Sequence, residues 1–184
     1  KTRAAFSTER RGRADMGFRT RILGAAAGGG LPQWNCGCGN CRRARAGAIA
    51  AQTQSSLAVT ANGRDWAILN ASPDIRVQLA ACPALAPTGP REVPLRAVLV
   101  TNGDIDHVAG LLTLREMQPF KLYATAGIHE VIAANPIFAA LKSDMVRREA
   151  VALEAAFEIV PGLRATLFPV PGKVPLYLEG EVVE

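Results

Sequence analysis

From Phe18 onward, short apolar runs alternate with breaks rich in glycine, proline and asparagine, the pattern of strands interleaved with short helices. Phe18 to Gly24 reads as a first strand, running into the glycine-rich loop Ala25-Ala26-Ala27-Gly28-Gly29-Gly30. Ser55 to Thr60 and Trp66 to Asn70 flank Asn62-Gly63, a pair that favours a type I′ turn, and together they predict a β-hairpin. Ser72-Pro73-Asp74 has the order of a helix start, with Ser as N-cap, Pro at the first helical position and Asp favourable to the dipole, leading into a helix expected over Ile75 to Ala81. A proline-rich connector, Pro83 to Pro94, leads to Ala97-Val98-Leu99-Val100, an unbroken apolar run suited to a buried strand. After the loop Thr101 to Asp106 the spacing predicts an apolar helix to about Glu116, then a strand over Phe120 to Ala124 and a helix from Gly127 to Ala134 stopped near Asn135-Pro136. From Phe157 the segments FEIV, RATLFPV and VPLYL read as three strands divided by Pro-Gly turns. Successive strands with no closing helix predict a sheet that continues beyond Glu184, in an α/β domain truncated at its C-terminus.

Composition adds limits. The 184 residues are 49% hydrophobic and 20% charged, with mean hydropathy +0.13, which fits one globular domain rather than a disordered chain. A domain of this size buries roughly 70% of the surface its unfolded chain exposes. No apolar run approaches the roughly 18 to 20 residues that cross a bilayer, so membrane insertion is not expected and a cytoplasmic location is. The net charge of +5 lies in residues 1 to 21, where seven bases face two acids, and the remainder is balanced. With the aromatics at 5%, a nucleic-acid partner is not expected. The first fifteen residues, KTRAAFSTERRGRAD, lack apolar periodicity and are expected to be a disordered or non-native basic extension, with residues 16 to 184 forming the domain.

Two clusters could carry chemistry. Cys36, Cys38 and Cys41 form a C-x-C-x-x-C loop punctuated by glycine, which can turn three thiolates toward one zinc ion. A disulfide, which would leave an odd cysteine, and inert thiols are the competing readings, and Cys82, His129 or a residue beyond Glu184 could complete a zinc site. In Thr101-Asn102-Gly103-Asp104-Ile105-Asp106-His107, alternating positions put Asn102, Asp104 and Asp106 on one side of a strand-to-helix turn, with His107 beside them. Two carboxylates and an imidazole suit a hard or borderline metal; the plainer alternative is a helix cap with a solvated histidine. GAAAGGG lacks the Lys-Ser/Thr ending of a P-loop and the spacing of a dinucleotide fingerprint, so close backbone packing is expected there.

The order of strand, glycine loop, hairpin, ASPDIR and TNGDIDH resembles the metallo-β-lactamase fold, whose signature turn reads His-x-His-x-Asp-His. Asn102 and Asp104 stand where that signature has histidines, while Asp106 and His107 match it. More closely, GAAAGGGLPQWNCGCGNCRRARAG, QTQSS, NASPDIR, TNGDIDHVAGLL, REMQPFKLYAT and NPIF are similar to the coenzyme PQQ synthesis B family, from Phe18 to about Glu179. That resemblance implies an αββα sandwich and a role in biosynthesis of pyrroloquinoline quinone (PQQ). The role would be that of a non-haem iron oxygenase acting on the tyrosine ring of a Glu-Tyr-derived precursor; alternatives are a carrier for PQQ or its precursor toward the periplasm and a metal-dependent hydrolase. In the oxygenase reading Asp106 and His107 hold Fe(II), Asp104 is a further ligand or orients one, and Asn102 hydrogen-bonds bound water or oxygen. Asp74 and Arg76 face substrate, Arg76 pairing with a carboxylate or else forming a surface ion pair, and Cys36, Cys38 and Cys41 clamp a structural zinc. PQQ or its precursor, other proteins of the same biosynthesis and a second copy of the chain are the implied partners.

Overall fold

A computed structural model describes residues 1–8, 17–172 and 175. Strands β2 (Arg19–Gly24), β3 (Ser56–Thr60), β4 (Trp66–Leu69), β5 (Leu95–Leu99), β6 (Phe120–Ala124) and β7 (Val146–Ala150) form one sheet in that spatial order. Its first three strands are antiparallel, and β4 to β7 run parallel. A second sheet holds β1 (Thr2–Thr8), β9 (Leu163–Pro169) and β8 (Ala156–Val160).

The apolar run around β5 is explained by its two buried faces. Val98 and Val100 join Ile68 and Leu122 beneath a helical layer that supplies Ile75, Leu111 and Ile132. Ala97 and Leu99 face the other way, with Val59 and Tyr123, onto Ile159, Leu163 and Leu167 of the small sheet. Each large aliphatic side chain withdrawn from water here is worth about 1.5 to 3 kcal/mol. The helical layer consists of α2 (Ile75–Ala80), α3 (Ile105–Val108), α4 (Ala126–Ala133) and 3-10 turns, while α1 (Gly39–Arg45) begins within the cysteine motif and carries Cys41. Three layers of an αββα sandwich are therefore present among the described residues.

Several expectations are corrected. The basic N-terminal segment is not disordered over Thr2–Thr8: it pairs with β9 along its whole length, and Ala4 and Phe6 pack on the small-sheet core. The period-two alternation of half-buried and exposed residues sustains this strand despite its charge; residues 9–16 lie outside the described part, as does most of the strand expected at VPLYL. The hairpin loop is longer than a type I′ turn. Asn62 uses its Oδ1 to accept from the amides of Arg64 and Asp65, and Gly63 takes the positive φ of 72°. Ser72 does not cap α2, because its hydroxyl donates to Gln78 Oε1 at 3.0 Å. The helix expected to reach Glu116 is α-helical only over Ile105–Val108 and continues as a 3-10 helix, Ala109–Arg115. Strand β7, VRREA, went unpredicted because its charged residues sit on a sheet edge where little apolar alternation is required. No described helix is long and apolar enough to cross a membrane.

Candidate metal centre

Parallel strands β4 and β5 deliver two loops to one end of the large sheet. At the end of β4, Asn70 adopts a φ of 61°, and its Oδ1 accepts from both the amide and the hydroxyl of Thr101 at 3.0 Å. Asn102 then folds its own loop, its Oδ1 accepting from the Asp104 amide at 2.9 Å. The Asp104 carbonyl accepts from the amides of His107 and Val108, starting α3. The next contact ties this turn to ASPDIR: the Ala71 amide donates to the His107 carbonyl at 2.8 Å, and the Gly110 amide to the Ala71 carbonyl at 2.9 Å.

This folding brings ligand atoms of Asp104, Asp106 and His107 within 4.8 Å of one another. His107 Nδ1 lies 3.1 Å from Asp106 Oδ1, yet it is a buried nitrogen with no hydrogen-bond partner. A buried polar atom left unpaired costs about 1 to 3 kcal/mol, so this one is suited to a ligand. The Lys1 ammonium lies 2.8 Å from Asp104 Oδ2, so the cluster already attracts positive charge. Two carboxylates and an orphaned imidazole nitrogen fit a divalent metal of borderline hardness. The glycine loop roofs the cluster: a Cβ added at Gly28 would lie 3.5 Å from Asp106 Oδ2.

The other expected residues divide. Asn102 supports the turn with its side-chain oxygen. Asp74 Oδ2 accepts from the amide of Gln54 at 2.9 Å and from its side-chain nitrogen at 3.2 Å, which makes it a brace for the loop. Arg76 is not brought to the cluster. It lines a cavity of about 400 Å³ with Leu79, Leu85, Leu95 and Phe120, beside the first residues of β5 and β6, whereas the cluster follows the last residues of β5. Gln54, Asn70 and Gln78 carry no local signal in the sequence: Gln78 is buried, but its neighbours Val77 and Leu79 are exposed and half-buried.

Cys36, Cys38 and Cys41 also bring their sulfurs within 4.8 Å, and all are free thiols. Arg45 ties the loop down, donating to the carbonyls of Cys36 and Gln33 at 2.6 Å and of Trp34 at 3.3 Å, and Arg42 donates to the Gly37 carbonyl. Among the described residues no fourth ligand joins: Cys82 packs in the core beside Leu85, and His129 Nε2 bonds the Glu149 carbonyl. The Cys41 backbone amide, with hydrogen bonds from the Cys36 and Cys41 side chains, lowers the Cys38 thiol to about 7. For Cys41 a hydrogen bond at Gln33 opposes the change, but burial and the neighbouring thiols prevail and push it up. Iodoacetamide should therefore modify exposed Cys38 before buried Cys41, at a rate rising as pH passes through about 7, and zinc should suppress the reaction. Mass spectrometry of the alkylated peptides checks the order.

A family model described as "Beta-lactamase superfamily domain" matches residues 65–182, a span that contains both the ASPDIR and TNGDIDH turns. The chain belongs to the beta-lactamase superfamily. Within this superfamily it is similar to coenzyme PQQ synthesis protein B of Ruegeria pomeroyi, 63% identical over 163 residues, covering 89% of this chain and 55% of the relative. The protein of the same name from Methylobacterium nodulans is 60% identical over 161 residues, covering 86% of this chain and 54% of the relative. Among solved structures, Zn(2+)-bound PqqB from Methylobacterium extorquens superposes with a TM-score of 0.85 at 57% identity, over 86% of this chain and 54% of that one. A diphosphatase of the PhnP family shares the superfamily fold alone, with a TM-score of 0.59 at 21% identity, over 77% of this chain and 53% of that one. The resemblance to PQQ synthesis B proteins and to the metallo-β-lactamase fold is thus borne out. The chain spans about 55% of the length of these curated relatives.

Proposed function

We propose that this chain serves PQQ biosynthesis as part of a metal-dependent oxygenase acting on the tyrosine ring of a Glu-Tyr-derived precursor, with zinc on the cysteine trio and iron(II) at the second cluster. The observation that carries the metal assignment is the buried, unpartnered His107 Nδ1 beside two carboxylates. The pathway assignment rests on similarity to PQQ synthesis B proteins over most of the chain.

Asp106 and His107 would hold the iron, with Asp104 as third ligand or as the acceptor that orients it. Iron(II), when bound there, would supply activation of dioxygen. The chain's own work is to hold these groups and limit water: Asn102 fixes the Asp104 backbone, Ala71 fixes that of His107, and the glycine loop covers one side of Asp106. Three thiolates leave zinc little Lewis acidity, which makes the cysteine trio a structural clamp, consistent with a Zn(2+)-bound relative. Hydrolysis by a dinuclear zinc centre is disfavoured, since Asn102 and Asp104 supply no imidazole.

The test is turnover of the precursor under isotopically labelled dioxygen by anaerobically prepared protein loaded with iron(II). Labelled oxygen is expected in the ring, and only with iron present. Unchanged turnover after iron removal would overturn the reading, and tight PQQ binding without any turnover would replace it with a carrier role.

A further inference from the structure

We infer that Gln54 is a positioning residue of the metal centre: held by Asp74, it fixes the glycine loop against the Asp106 carboxylate. The inference rests on the proposed reading only in taking Asp106 as a ligand.

Every polar group of Gln54 is engaged. Its backbone amide and side-chain nitrogen both donate to Asp74 Oδ2, at 2.9 and 3.2 Å. Its carbonyl accepts from Gln78 Nε2 at 2.7 Å, and its Oε1 accepts from the Gly29 amide at 3.2 Å. Gln78 is itself fixed, only 3% exposed, with its oxygen on the Ser72 hydroxyl and its nitrogen also on Thr53 Oγ1 at 3.0 Å. The Gln54 side chain is tied through Nε2 to half-buried Asp74, just ahead of α2, and its backbone carbonyl to Gln78 within α2, so this turn fixes the position from which its Oε1 reaches the loop.

The loop needs such a grip. Backbone bonds anchor it at Ala26, whose amide donates to Thr53, and at Leu31, whose amide donates to Gln52. Between those anchors the Gly30 amide donates to the Ala27 carbonyl at 3.1 Å, and Gly29 and Gly30 take positive φ of 92° and 74°, with the Gly29 amide left to the Gln54 side chain. The Gln54 bond to Gly29 braces the middle of this span, one residue from Gly28, which lies beside the Asp106 carboxylate. Gly24 permits the arrangement, because a Cβ there would meet the Gln54 carbonyl at 2.1 Å and Gln78 Nε2 at 2.5 Å. The same turn that carries Asp74 also holds His107 through Ala71. Gln54 therefore sets how closely the loop covers Asp106, and with it the freedom of that carboxylate before metal arrives. Groups that orient a ligand without touching the metal are worth about 10- to 100-fold in metal affinity.

The test compares Gln54→Glu with the double exchange Gln54→Glu/Asp74→Asn. The single change sets two carboxylates against each other and removes the Nε2 donor; the double exchange restores a donor and an acceptor with their roles reversed. In metal-free protein, hydrogen exchange at the Gly29 amide should quicken by about tenfold in Gln54→Glu and return toward the wild-type rate in the double exchange. Affinity for iron(II) alone, measured by chelator competition, should fall by about tenfold and recover in parallel, while zinc stays bound to the cysteine trio. Wild-type exchange in Gln54→Glu, or a double exchange no better than the single, would overturn the inference. So would joint loss of zinc and of the melting transition in Gln54→Glu, which would mark Gln54 as a general fold residue. If the wild type takes up no iron dependent on His107, the functional reading fails while the Gly29 exchange rates still decide the role of Gln54.

Discussion

Under the proposed assignment, replacing His107 with alanine should abolish metal uptake at the Asp104, Asp106 and His107 cluster, leave zinc uptake by the cysteine trio unchanged, and lower turnover on the order of a thousandfold or more. Stability should separate ligand from packing residue. In metal-free protein the His107 ring contributes buried surface but also an unpaired buried nitrogen, two terms of opposite sign and similar size. Metal-free His107→Ala should therefore unfold within about 1 kcal/mol of wild type. With iron(II) at 100 times its dissociation constant the wild type gains about 2.7 kcal/mol and the variant nothing. Thermal melts with and without iron(II), read beside metal content by mass spectrometry, check both halves. A large loss of stability in the metal-free variant would mean that His107 serves the core.

Gly110→Ala should produce the larger structural damage. A Cβ at that position would lie 2.1 Å from the Ser72 carbonyl oxygen and 2.7 Å from that of Ala71, and both are backbone atoms that cannot rotate away. Relief requires separating the 3-10 helix from the ASPDIR turn, which breaks the Gly110 to Ala71 hydrogen bond. A cost of about 3 kcal/mol follows, the upper part of the usual range for overpacking, and a domain of this size loses roughly 2 to 4 °C in Tm for each kcal/mol. A drop of about 10 °C is the expected result, accompanied by weaker metal binding at His107, because the Ala71 amide that holds its carbonyl moves as well. A Tm within 2 °C of wild type, roughly the effect of 1 kcal/mol or less, would contradict the close packing.

The sequence was most legible where a physical requirement is local. Phe120 to Ala124 reads as a strand because its alternate residues fill two different cores, and it is one. The cysteine trio and the Asp-x-Asp-His turn could be read from spacing, since short loops leave few ways to arrange side chains so near in sequence, and the structure gathers both. Legibility failed where the partner is distant. Ser72 looks like a cap because nothing local shows that Gln78 will claim its hydroxyl. The helix from Ile105 tightens after Val108, where Gly110 lies against the backbone of Ala71 and Ser72, residues far earlier in the chain. Arg76 follows a strand end in sequence, yet α2 carries it away from the cluster toward the opposite end of the sheet. Gln54 gave no signal because its importance lies in four bonds, all of them to residues at least twenty positions away.

The turn at Ala71 to Asp74 holds α3 with one residue and, through Gln54, the glycine loop with another. The two walls of the metal centre thus share one point of reference and have fewer independent degrees of freedom than their separation in sequence suggests. A substitution that displaces this turn shifts both walls together and can preserve the gap between them, whereas one within either wall changes the gap directly. Substitutions meant to alter the candidate centre should therefore be placed in the glycine loop or the 101–107 loop, with the turn left untouched.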